Sequence, residues 1–102
     1  MKYQLILQFP ASSISDYDAM IELEERIIED LGDVGEVDGH DAGSGEMNIF
    51  VLTNRPKLAF ERVKNVVRTS DLMPVLKAAY REVGEDEFSI LHPEGLNRFS
   101  VA

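Results

Sequence analysis

The sequence predicts an α+β domain in which two helices pack on one face of an antiparallel sheet. Residues 2–9 alternate apolar and polar side chains at the period of a strand. Two later stretches repeat apolar residues at the spacing of an amphipathic helix. Between them, a glycine-rich segment runs into β-branched and aromatic residues, the pattern of a hairpin.

In Lys2 to Phe9, Tyr3, Leu5, Leu7 and Phe9 share one face and Gln4, Ile6 and Gln8 the other. Pro10, lacking an N–H, stops the strand. Ser15 is the expected N-cap of a first helix, with Asp16 and Asp18 in its positive first turn. Met20, Leu23, Ile27, Ile28 and Leu31 form its apolar series, and Gly32 ends it. Gly35 to Asp41 reads as extended, Ala42 to Gly45 as a loop and Met47 to Thr53 as a strand, which together make the hairpin. Asn54-Arg55-Pro56 opens a second helix, since proline suits a first turn. Its buried stripe is Leu58, Ala59, Val63, Val66 and Val67, and its end is expected near Thr69 to Asp71. After Pro74, Val75 to Val83 reads as a last strand and Phe88 to Leu91 as a short additional one. The order βαββαβ is the split βαβ plan of ferredoxin-like folds, here with a short extra C-terminal strand. A chain of 102 residues holds one such domain, placed at 1–96, with a loose tail over 97–102.

In that plan the first and third strands are central. Gln4, Ile6 and Gln8 then face away from the helices. The third strand is largely apolar on both sides, with Met47, Ile49 and Val51 on one and Asn48, Phe50 and Leu52 on the other. Such a strand needs its second face covered, by the C-terminal segment or by another chain. Gln4, Ile6, Gln8, Asn48 and Phe50 are therefore candidates for a sheet-face pocket or dimer contact, and a homodimer is expected.

Charge is segregated along the chain. Between Asp16 and Glu46 stand twelve carboxylates and one base, Arg26, whereas Arg55, Lys57, Arg62, Lys64 and Arg68 cluster beyond. With a net charge of −9, the chain should repel nucleic acid and anionic membranes and attract a basic protein. RNA recognition on this plan uses aromatics beside bases on the central strands. Gly45 to Leu52 offers one aromatic, Phe50, and no base. The chain has no cysteine, which removes thiolate chemistry and disulfides, and no apolar run approaches a membrane span. A cytoplasmic location is expected.

Potential chemistry concentrates in Asp38-Gly39-His40-Asp41-Ala42-Gly43-Ser44-Gly45-Glu46. Read as a calcium loop from Asp38, it puts Ala42 and Ile49 where oxygen ligands are required. Gly43-Ser44-Gly45 resembles a phosphate cradle, but a strand follows it rather than a helix N-terminus. Strand alternation would put Asp38 and His40 on one face and Asp41 on the other. That leaves a metal set of Asp38, His40 and Glu46 as a lesser option and no cofactor as the expectation. His40 between two carboxylates is the only acid–base candidate, and it has no nucleophile beside it.

The motif Gly39-His40-Asp41-Ala42-Gly43-Ser44-Gly45-Glu46-Met47-Asn48-Ile49-Phe50, with Met1-Lys2-Tyr3 at the start and Phe88-Ser89-Ile90-Leu91-His92-Pro93 at the end, resembles a family of small uncharacterised bacterial proteins. The resemblance spans nearly the whole chain and brings no catalytic or binding residues with it. In plan the chain is also distantly similar to dimeric α+β barrel proteins, whose sheet faces enclose small molecules.

The expected function is a non-enzymatic interaction module, immunity-like in one form. Glu22, Glu25, Glu29, Asp38, His40, Asp41 and Glu46 would engage a basic partner. The alternative is a dimeric small-ligand binder or enzyme with a sheet-face pocket beside the His40 hairpin.

Overall fold

Alternation along the first strand sets the architecture. In the computed structural model, which describes residues 1–101, strand β1 spans Tyr3–Pro10, helix α1 Tyr17–Leu31, β2 Gly35–Gly43, β3 Glu46–Thr53, α2 Pro56–Thr69, β4 Lys77–Glu82 and β5 Ser89–His92. The strands form one antiparallel sheet in the order β2-β3-β1-β4-β5, a ferredoxin-like arrangement extended by β5. Leu5, Leu7 and Phe9 of β1 join Ile49 and Val51 of β3 and Ala78 of β4 beneath both helices. The helices contribute Met20, Leu23, Ile27 and Leu31 from α1, and Ala59, Phe60, Val63, Val66 and Val67 from α2. The third strand thus turns Met47, Ile49 and Val51 toward the helices and Asn48, Phe50 and Leu52 toward the other face.

Several boundaries differ from the sequence reading, each for a local reason. The N-cap of α1 is Asp16, not Ser15: its carboxylate accepts a hydrogen bond from the Ala19 N–H at 2.8 Å. The Ala42–Gly45 loop contracts to a two-residue turn. Ser44 and Gly45 both adopt positive φ, which matches strand twist and lets Ala42 and Gly43 stay paired with Met47 and Glu46. The last long strand starts at Lys77 rather than Val75, because Pro74 sits in a 3-10 turn over Met73–Val75. The extra strand is shifted by one residue, to Ser89–His92.

The described part of the tail, residues 97–101, is not loose. It has no regular structure, yet Phe99 stacks edge-on against Phe88 with ring centroids 5.1 Å apart. The Ser100 carbonyl accepts a hydrogen bond from Gln8 Nε2 at 2.9 Å. Ala102 lies outside the described residues.

Candidate functional site

Two surfaces collect the candidate residues, one on each side of the sheet. The first is the lip where α1 overhangs the edge strand β2. At 100° per residue, Tyr17, Ile21, Glu24 and Ile28 fall on one line of α1, flanking the buried series. Tyr17 is 69% exposed and Ile28 50%. Ile28 was expected in the core; it sits one position past Ile27, and that step of rotation carries it out onto the lip.

His40 reaches this lip because of a β-bulge. The register of β2 against β3 runs Val37↔Val51 and then Gly39↔Phe50, so Asp38 is the extra, unpaired residue. The inserted residue inverts the alternation: His40 pairs with Ile49 and shares its helix-facing side, whereas Asp41 pairs with Asn48 and points the other way. Asp38 is exposed at the bulge and does not share a site with His40 as alternation alone predicted. The His40 Nδ1 lies 2.8 Å from Glu24 Oε2, and its ring stands edge-on to Tyr17 at 6.4 Å. An ionised carboxylate only accepts, so Nδ1 carries the hydrogen and ties β2 to α1.

Glu25 and Glu29 stand exposed on α1 beside the lip, and Glu22, also exposed, lies further round the helix toward α2, in a groove with Arg26, Ser70 and Leu72. None of them takes part in an ion pair; those among the described residues are Lys2–Glu82, Lys64–Glu61 and His40–Glu24. Arg26, the single base of the acidic segment, spends its guanidinium on Ser70 Oγ at 3.0 Å and Thr69 Oγ1 at 2.7 Å, at the end of α2. The acidity of α1 is therefore not neutralised by the basic helix at its side.

The second surface is the sheet face away from the helices. Ile6 and Ala79 are fully buried there although neither belongs to the core under the helices, so this face is covered. The cover is the chain itself. The β4–β5 loop brings Phe88 under the Arg81 guanidinium at 5.6 Å, and Arg81 Nε donates to Gln4 Oε1 at 3.0 Å. The tail lies across the middle. Beneath it runs a polar chain through three strands: Gln8 Nε2 donates to Asn48 Oδ1 at 3.0 Å, and Asn48 Nδ2 donates to Asp41 Oδ1 at 3.0 Å. Asn48 is 1% exposed and Gln8 4%, so these bonds replace the water both side chains have lost.

Cavities open on either side of the tail. One, of about 520 Å³, lies toward the hairpin turn and is lined by Gln8, Ser44, Glu46, Lys77 and Arg98. The other, of about 390 Å³, is lined by Gln4, Ile6, Phe50, Arg81 and Phe88. The sheet-face candidates are thus divided, with Asn48 sealed between the two. The hairpin contributes Ser44 and Glu46 to this face, and His40, expected beside it, is on the opposite side of the sheet. Asp38, His40 and Glu46 do not converge, and among the described residues no three His, Asp or Glu side chains are grouped to hold a metal ion. No described helix is long and apolar enough to cross a membrane.

The seven interaction candidates accordingly split: Glu25, Glu29, Asp38 and His40 belong to the α1–β2 side, Glu22 to the α1–α2 side, and Asp41 and Glu46 to the tail side. What the sequence reading missed is the apolar part of the lip, Tyr17, Ile21 and Ile28. Its signal was present as spacings of four and seven residues adjoining the core series. Compared with protein-family models, with curated proteins and with solved structures, the chain matches none of them.

Proposed function

We propose that this protein is a non-enzymatic interaction module whose α1–β2 lip binds a basic protein partner. The observation that carries this reading is the apolar stripe of exposed Tyr17 and Ile28 with half-buried Ile21 between them, bordered by the exposed carboxylates Glu25 and Glu29, which form no ion pair among the described residues. An apolar centre with a charged rim is the anatomy of a protein interface: the centre supplies affinity, and the rim supplies steering and partner choice. Fully burying a side chain of this size yields about 1.5–3 kcal/mol. Glu25 and Glu29, four residues apart, repel one another by roughly a few tenths of a kcal/mol, a cost that a cationic partner relieves. His40 is consistent with a structural role here, since its ring is committed to Glu24.

The chemistry of the edge narrows how the partner docks. Strand addition to β2 is disfavoured by the bulge at Asp38 and by the exposed carboxylate of Glu36, both devices that protect an edge. The partner instead seats a folded surface on the helix side, with an apolar patch ringed by Lys and Arg. Neutralisation of a basic toxin is one form of such binding.

Affinity capture from native cells with Ile28→Asp as the paired control tests this. The recovered partner is identified, purified and titrated. Ile28→Asp is expected to abolish its binding, Glu25→Lys with Glu29→Lys to weaken it at least about tenfold at low salt, and Arg62→Glu on α2 to leave it intact. A partner that binds the Ile28→Asp protein as well as the wild type rules out the lip.

A further inference from the structure

We propose a second site, independent of the lip: the cavity between the hairpin turn and the tail binds a small zwitterion of the α-amino acid class. Its volume of about 520 Å³ lies within the range of small-molecule sites. In a molecule of net charge −9 it gathers two cations, Lys77 and Arg98, against one carboxylate, Glu46. Among the described residues none of the three is ion-paired or hydrogen-bonded through its side chain. Oppositely charged groups sharing one cavity without closing on each other leave both signs available to a ligand.

The register explains why they stay apart. Lys77 of β4 pairs with Gln8 on one side of β1, and Glu46 of β3 pairs with Pro10 on the other. With neighbouring strands about 4.8 Å apart, two strand spacings hold their backbones roughly 10 Å from one another. Between them lies Gln8, 96% removed from solvent as its 4% exposure states. Its Nε2 is used twice, on Asn48 Oδ1 and the Ser100 carbonyl. Among the described residues its Oε1 accepts no hydrogen bond, and Gln8 lines the cavity. It is a fixed acceptor, held by the two bonds of its own amide.

The donors and acceptors are therefore sorted by position. Lys77 and Arg98 present N–H groups suited to a carboxylate; Gln8 Oε1 and Glu46 present oxygens suited to an ammonium. A simple dianion would meet Glu46 unfavourably, and a simple amine would meet the two cations. A molecule carrying both charges satisfies the set, and the net positive count favours one with a second carboxylate. Phe99 and Arg98 belong to the tail, so binding would also pin the tail to the sheet.

The full chain is titrated calorimetrically with L-glutamate, and its thermal midpoint is measured with each proteinogenic α-amino acid at about 10 mM. The expected result is saturable binding of L-glutamate or another member of that set. Succinate and 1,4-diaminobutane, each lacking one of the two charge types, should bind at least about tenfold more weakly. Lys77→Gln and Arg98→Gln should each lower affinity about tenfold or more, and Glu46→Gln should weaken the amino acid while strengthening succinate. Amide exchange of residues 97–101 should slow on binding, a readout that does not rely on any variant folding. The proposal is overturned if no α-amino acid binds, if succinate binds as well as L-glutamate, or if binding survives both cation replacements. None of these outcomes bears on the lip, whose partner is recovered without the ligand.

Discussion

Asn48 shows how much a single buried amide holds in place on the covered face. It accepts from Gln8 Nε2 and donates to Asp41 Oδ1, so one side chain links β1, β3 and β2. Asn48→Ala would take from the buried Gln8 amide one of its two acceptors, leaving it the Ser100 carbonyl, and would release the exposed Asp41 carboxylate to water. The expected loss is about 1 kcal/mol in urea unfolding, the net worth of one buried hydrogen bond between neutral amides. A change inside error would mean that water replaces the bonds. Alternation along the third strand was enough to put Asn48 with Phe50 on this face, but the bonds themselves were not legible. Gln8 and Asp41 lie 40 and 7 residues away, and their convergence depends on two registers and on a bulge. The same bulge hid the position of His40, because one inserted residue reverses every side chain beyond it.

At the scale of elements, local chemistry was readable where period and punctuation agree. Gly32, at a φ of 55°, ends α1 where a left-handed residue was expected, and Pro56 occupies the first position of α2. The cap of α1 moved by one residue because Ser15 and Asp16 are both good capping types, and only geometry selects between them. Less visible was the demand at Gly35, where the chain leaves α1 and enters β2. A Cβ there would stand 3.0 Å from Val51 Cγ1, 3.2 Å from the Leu52 carbonyl oxygen and 3.3 Å from Leu31 Cδ2. Gly35→Ala is therefore expected to destabilise by about 1–3 kcal/mol as Leu31 and Val51 are displaced, since the backbone carbonyl cannot yield. Urea unfolding should show a lower midpoint at unchanged slope. An unchanged midpoint would show that the turn after α1 relaxes freely.

Across the whole molecule, segregation of charge sets stability against recognition. The acidic run is concentrated on α1 and the hairpin, and the ion pairs among the described residues leave Glu22, Glu25 and Glu29 uncompensated. Self-repulsion of that kind acts over a Debye length, about 30 Å at 0.01 M salt and about 8 Å at 0.15 M, against a longest dimension of 32 Å. At the lower salt the whole molecule feels the excess charge; at the higher salt only near neighbours do. Stability should therefore rise as salt is added over this range. Glu25→Lys should raise it further at low salt, because it removes the repulsion with Glu29 and places a base four residues before that acid; the gain is roughly a few tenths of a kcal/mol and should shrink as salt is added. The same substitution is the one expected to weaken the basic partner at the lip. A variant that folds more firmly while binding less well is the signature of charge retained for an interaction rather than for the fold. Urea midpoints of wild type and Glu25→Lys at the two salt concentrations read this out. Stability that falls on adding salt, or a variant less stable than wild type at low salt, would mean that local contacts already offset the acidity of α1.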